Sequence, residues 1–128
     1  MLFRSFHLQG AIKAKVNASE IKIRLAAAKP VIEQLTVLAS LGIPTFLTGD
    51  FNSPSHLDWN EKTLHKRQNH RYVMSWPLTQ YLANHGFIDS YRKIFPDSYK
   101  HPGFTWPAGR PHLKNALDNY NPSNSDLP

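Results

Sequence analysis

Residues 45–54 read Thr45-Phe46-Leu47-Thr48-Gly49-Asp50-Phe51-Asn52-Ser53-Pro54, and the fold assigned to the chain turns on how they are taken. The run opens after Pro44 as a short apolar stretch of the kind that forms a buried strand. It stops at Gly49 and presents an acid, an aromatic and an amide in order. Along a strand successive side chains point to opposite faces, so Asp50 and Asn52 would share one face and Phe51 would take the other. Such a strand end shows a carboxylate and a carboxamide to one spot, with Phe51 anchored in the core. The plainer reading is a strand that ends in a turn, with Asp50 and Asn52 capping backbone groups, because Gly, Asp, Asn, Ser and Pro are the ordinary turn residues.

Upstream, Leu2 to Leu8 reads as a strand with His7 near its end, where a polar side chain in apolar company is most simply a hydrogen-bonded core histidine. From Asn17 the pattern turns helical. Asn17 or Ser19 can cap a helix, and Glu20 falls in its first turn, where the helix dipole favours an acid. Ile21, Leu25, Ala28, Ile32, Leu35 and Leu38 recur at three- and four-residue steps and define one apolar stripe. Pro30 interrupts that stripe at a cost of ~3 kcal/mol in a helix interior, which predicts a kink or two helices. Gly42 supplies the stop. A helix followed closely by a strand over Ile43 to Leu47 predicts an α/β layered domain.

Downstream, Ser53 to Met74 is polar and carries His56, His65, His70, Lys62, Lys66, Arg67 and Arg71. It reads as a long surface loop with a helical turn after Asp58. The histidine spacing places no two ligands on one helical face and there are no thiols, so a zinc site fails there. Ser75 can cap a helix entered through Trp76 and Pro77, with Leu78, Tyr81 and Leu82 as its apolar side and Gly86 as its terminator. Asp89 then caps a short helix over Tyr91 to Phe95 that Pro96 ends. Gly103-Phe104-Thr105-Trp106 reads as the entry to a strand, and Trp59, Trp76 and Trp106 as packing residues. Residues 112–128 lose the pattern and read as an irregular tail behind one domain over residues 1–111.

The 128 residues suffice for one domain, and 41% hydrophobic against 19% charged content marks it as globular. There is no cysteine, which excludes disulfides, thiolate metal sites and cysteine nucleophiles. No apolar run approaches ~18 residues, so no membrane span is expected. A formal charge of +6 favours anionic partners such as phosphate esters, nucleic acid or membrane surfaces.

Taken in order, the pieces resemble the endonuclease/exonuclease/phosphatase family of metal-dependent phosphoesterases. The matching words are Phe6-His7-Leu8, then Arg24 on a helix, then Gly49-Asp50-Phe51-Asn52-Ser53. They continue with Gly86-Phe87-Ile88-Asp89-Ser90-Tyr91-Arg92, Phe95-Pro96-Asp97 and Gly103-Phe104-Thr105-Trp106, a match over about residues 2–107. The resemblance implies a partial four-layer α/β/β/α sandwich with its site at the ends of two packed sheets, hydrolysing phosphate esters as a phosphodiesterase, nuclease or phosphatase with the help of magnesium. Carried over by position, Asp50 would orient or deprotonate the attacking water. Asn52 would hydrogen-bond that water or a phosphate oxygen, and His7 would stabilise charge on the phosphoryl oxygens. Such a set suits phosphoryl transfer, which needs mainly positioning and neutralised oxygens.

The chain also departs from the family. The strand words that carry an Asn and the metal-holding Glu are absent before residue 2, as are the Arg-Ile-Asp and Ser-Asp-His words after Trp106. The expectation is a central fragment of the domain, weakly active or inactive by itself. Two rivals stand beside it. One is a non-catalytic module that binds nucleic acid or other polyanions through Lys62, His65, Lys66, Arg67, His70 and Arg71, with strongly salt-dependent affinity. The other is a truncated chain with exposed sheet edges and no role of its own.

Overall fold

The computed structural model describes residues 2–64, 66 and 72–103, with side chains from residue 10 onward. Its spine is one helical run: α1 over Leu2–Ser19, a π-helical turn over Glu20–Leu25, and α2 over Ala26–Ser40. Two shorter helices follow, α3 over Pro77–Asn84 and α4 over Ser90–Ile94. Among the described residues there is no strand. The α/β expectation, and with it the partial four-layer sandwich, is therefore overturned.

Two segments account for the correction. Leu2 to Leu8 is helical. Its Leu and Arg are good helix formers, and Leu2, Phe3 and Phe6 stand at three- and four-residue steps that serve a helix as well as a strand. Ile43 to Leu47, expected as a strand, has no regular structure, because a strand exists only as one of a pair. From Pro44 to Thr48 no backbone group bonds to the backbone of another described residue, and Phe46 is 86% exposed.

Pro30 does not divide the spine but sits inside α2. Its ring deprives the Ala26 carbonyl of the usual donor. Both residues are exposed, so water can take the donor's place. The stop at Gly42 is as read. Gly42, at φ 78°, donates to the Ala39 carbonyl at 3.0 Å while Ile43 N–H reaches Leu38 O at 3.2 Å, the pair of bonds that closes a Schellman end. Gly86, at φ 84°, closes α3 in the same way, with Gly86 N–H on Ala83 O and Phe87 N–H on Leu82 O, both 3.1 Å.

The core gathers where α3 packs on the π turn. Ile32 of α2, Met74, Trp76 and Leu78 are buried. The chain from Met74 to Leu78 lays alternate residues inward and then enters α3 through Pro77 at the tolerated first position. Ser75 does not cap α3; its hydroxyl donates to Gln80 Oε1 at 2.8 Å instead. Trp59 stacks edge-on against Trp76, with ring centroids 5.0 Å apart, in agreement with the reading of both as packing residues. Trp106 lies outside the described residues, as do the strand entry at Phe104 and the tail over residues 112–128.

A second, more polar knot holds the end of the described chain. Asp89 caps α4 as read, accepting from Arg92 N–H at 2.9 Å. Arg92 itself is buried and spends its planar fork on Asp58 and on the carbonyls of Phe95, His101 and Pro102. Gly103 passes so close that a Cβ there would lie 2.6 Å from the Tyr91 ring.

Candidate functional site

The word Gly49-Asp50-Phe51-Asn52-Ser53 folds as a turn. Asp50 Oδ1 accepts the Asn52 N–H at 2.9 Å, the local bond by which an aspartate mimics a backbone turn. Asn52 takes φ 48°, left-handed geometry that Asn tolerates better than most residues and that ends any strand-like course. The alternation anticipated for a strand survives in exposure: Asp50 and Asn52 face solvent and Phe51 is half-buried. Asp50 and Asn52 thus stand together on the surface, joined by a bond from side chain to backbone. The second Asp50 oxygen makes no hydrogen bond among the described residues.

The turn is fastened to the spine at its π segment. Ser53 Oγ donates to Glu20 Oε2 at 2.8 Å, and Arg24 Nε donates to the Asn52 carbonyl at 3.2 Å. Glu20 Oε1 lies 3.9 Å from Arg24 Nε across one helical turn. Glu20 is buried, a placement a carboxylate tolerates only with such partners. A π turn widens the helix locally, and such turns concentrate at functional sites. Here it carries both residues that grip the Asp50–Ser53 turn.

Arg24 entered the sequence reading only as part of a motif; the structure gives it a contact with Asn52. Glu20 was read as a first-turn acid, yet it lies mid-spine and serves Ser53. No spacing rule could have paired residues 20 and 24 with 52 and 53, because contacts across about thirty residues leave no periodic trace. His7 lies in α1 and not on a strand, and its side chain is outside the described residues. In the polar loop, His65, Arg67, His70 and Arg71 also lie outside them.

No metal-holding cluster of side chains supports the magnesium expectation among the described residues. A hard cation takes about six oxygen ligands, and no group of three His, Asp or Glu side chains with cation-holding geometry occurs among them. Asp89, read as a cap and not a ligand, is spent on Arg92 N–H and on Ser55 Oγ at 3.1 Å. His56 sits behind this knot, its ring 3.2 Å from Thr79 Oγ1. Burial lowers its pKa from the ordinary 6.5, against the opposing pull of Asp89 and Asp58. No described helix is long and apolar enough to cross a membrane, in line with the sequence.

No family model matches the chain, and no solved structure matches it. An uncharacterized protein of Caenorhabditis elegans is 45% identical over 64 residues, a stretch that makes up 50% of this chain and 20% of that protein. The chain therefore spans about a fifth of the length of this relative.

Proposed function

We propose that the protein belongs to the chemistry of phosphate-ester hydrolysis, with Asp50 and Asn52 as the groups that handle water and phosphate oxygen. The observation that supports this reading is the fastening of the Asp50–Ser53 turn to Glu20 and Arg24. The turn so held carries an Asp50 carboxylate oxygen that makes no hydrogen bond among the described residues. Asp50 holds the attacking water through that oxygen and takes its proton as the bond to phosphorus forms, the role of a general base. Meanwhile the phosphorus–oxygen bond to the leaving alcohol breaks, and the departing oxygen takes a proton from solvent water. The Asn52 carboxamide orients the same water or a phosphoryl oxygen. His7 is assigned to neutralising phosphoryl charge, by its place in the family resemblance alone. Magnesium belongs to that resemblance too, and no step is assigned to it.

Incubation of the chain with bis(p-nitrophenyl) phosphate, with and without magnesium, tests the reading. Turnover that falls about a hundredfold or more in Asp50→Ala, in the range expected for a lost general base, supports it. No turnover by the unaltered chain, or turnover indifferent to Asp50→Ala, overturns it.

A further inference from the structure

We infer that the outer edge of the Arg24 guanidinium is a binding site for a phosphoryl oxygen pair, a role that rests on, and extends, the hydrolytic reading. Nε is committed. It donates to the Asn52 carbonyl at 3.2 Å and is the nitrogen nearest Glu20 Oε1, at 3.9 Å. The two Nη nitrogens make no hydrogen bond to any described residue, and the side chain is 41% exposed. The guanidinium is thus held by one side and open on the other.

An arginine in that state suits phosphate for three reasons. Its plane carries five donors in a fixed fork that matches two oxygens of a phosphate at once. Anchoring at Nε removes rotamer freedom before the ligand arrives, so less ordering entropy is lost on binding. The acid nearest the group, Glu20, lies on the Nε side and is itself occupied by the Ser53 hydroxyl at 2.8 Å. The chain's charge of +6 draws anions toward it from a distance.

The placement also explains why a π turn persists at Glu20–Leu25. Such a turn forfeits regular hydrogen bonding and is retained where it serves a site. Here it sets Glu20 and Arg24 so that one grips Ser53 and the other grips Asn52. The ligand then lies beside the turn that bears Asp50. In this arrangement Arg24 contacts substrate, and Glu20 positions both the turn and the arginine.

Titration of the full chain with inorganic phosphate, followed by nuclear magnetic resonance at the Arg24 side chain and the Asn52 amide, tests the site without requiring turnover. Saturable shifts at both are expected. Arg24→Gln should weaken binding about tenfold or more, and Arg24→Lys should recover part of it. Glu20→Gln retains an acceptor for Ser53 but removes a negative charge, so it should bind phosphate more tightly. Opposite effects from two changes in one helical turn cannot come from loss of the fold. Phosphate bound equally by Arg24→Gln, or no saturable shift in the unaltered chain, overturns the inference. A chain that binds phosphate in this way yet hydrolyses nothing leaves the site standing and removes the hydrolase.

Discussion

Arg92 Nε donates to Asp58 Oδ1 at 2.5 Å, joining residues 34 apart in sequence. The arginine side chain is only 4% exposed and the aspartate 20%. Bringing a guanidinium out of water carries a penalty of several kcal/mol, which is met here only because the fork also reaches three carbonyls. Removing one partner leaves the other charge buried and unmatched.

Arg92→Met should therefore lower stability by about 3–5 kcal/mol, read as a shift in the midpoint of urea unfolding. Arg92→Lys should recover little, since an ammonium cannot span Asp58 and the carbonyls of Phe95, His101 and Pro102 together. Near-native stability in Arg92→Lys would show that the pair matters as a point charge and the fork does not.

His56 gives the fold a pH dependence of known sign. Its folded pKa lies below the ordinary 6.5 because burial disfavours the charged ring. The unfolded chain then binds more protons near and below that value, so stability rises with pH there. The contribution is present above about 6.5 and is lost as pH falls through the folded pKa. Urea unfolding between pH 8 and 5, on the order of the window set by an ordinary histidine, should show stability decreasing toward acid. His56→Asn should flatten the curve. An unchanged slope in that variant assigns the effect elsewhere.

Trp76 is buried, and its indole Nε1 has no hydrogen-bond partner among the described residues. A buried donor left unpaired forfeits about 1–3 kcal/mol of hydration. Trp76→Phe removes that donor while keeping an aromatic edge against Trp59. It should cost under about 1 kcal/mol, far less than the ~3–5 kcal/mol typical of a large buried side chain cut to alanine. A loss above that range in chemical unfolding would show the N–H to be satisfied.

The segment Pro44–Thr48 leaves backbone donors and acceptors without backbone partners among the described residues, beside a Phe46 that is 86% exposed. Unpaired backbone next to an exposed apolar side chain is a template for association, and a lysine at such a place blocks it. Phe46→Lys should slow aggregation, followed by light scattering at rising concentration. It should change monomer stability by no more than about 0.5 kcal/mol, as for other exposed sites. Equal aggregation of both forms would place the sticky surface elsewhere.

What could be read from residues alone was local. The Asp89 cap, the Pro77 entry to α3 and the glycine stops at 42 and 86 each follow from the backbone preferences of one residue and its near neighbours. Of the stripe through Ile21, Leu25, Ala28, Ile32, Leu35 and Leu38, the structure buries Ile32 and half-buries Leu25, Ala28 and Leu35, while Ile21 and Leu38 at its ends are exposed. The strands were not legible. Apolar residues after Pro44 say that a segment can extend, whereas a sheet needs a neighbour that no periodicity names. At the site, the closeness of Asp50 and Asn52 was legible, but its form was not, because one bond from carboxylate to amide replaced the pleat. The grip of Glu20 and Arg24 is a tertiary fact and left no mark in spacing.

The wide turn at Glu20–Leu25 amounts to a surplus residue stored in a helix. Deleting one amino acid between Glu20 and Arg24 would return the spine to regular winding and leave the helices on either side nearly as they are, since about five residues at ~100° turn as far as six in the wider winding. Ile32 would keep its neighbours, while Glu20 and Arg24, brought one position closer in the chain, would lose their common aim. Length variation that surface loops absorb freely should for that reason be barred from these six positions.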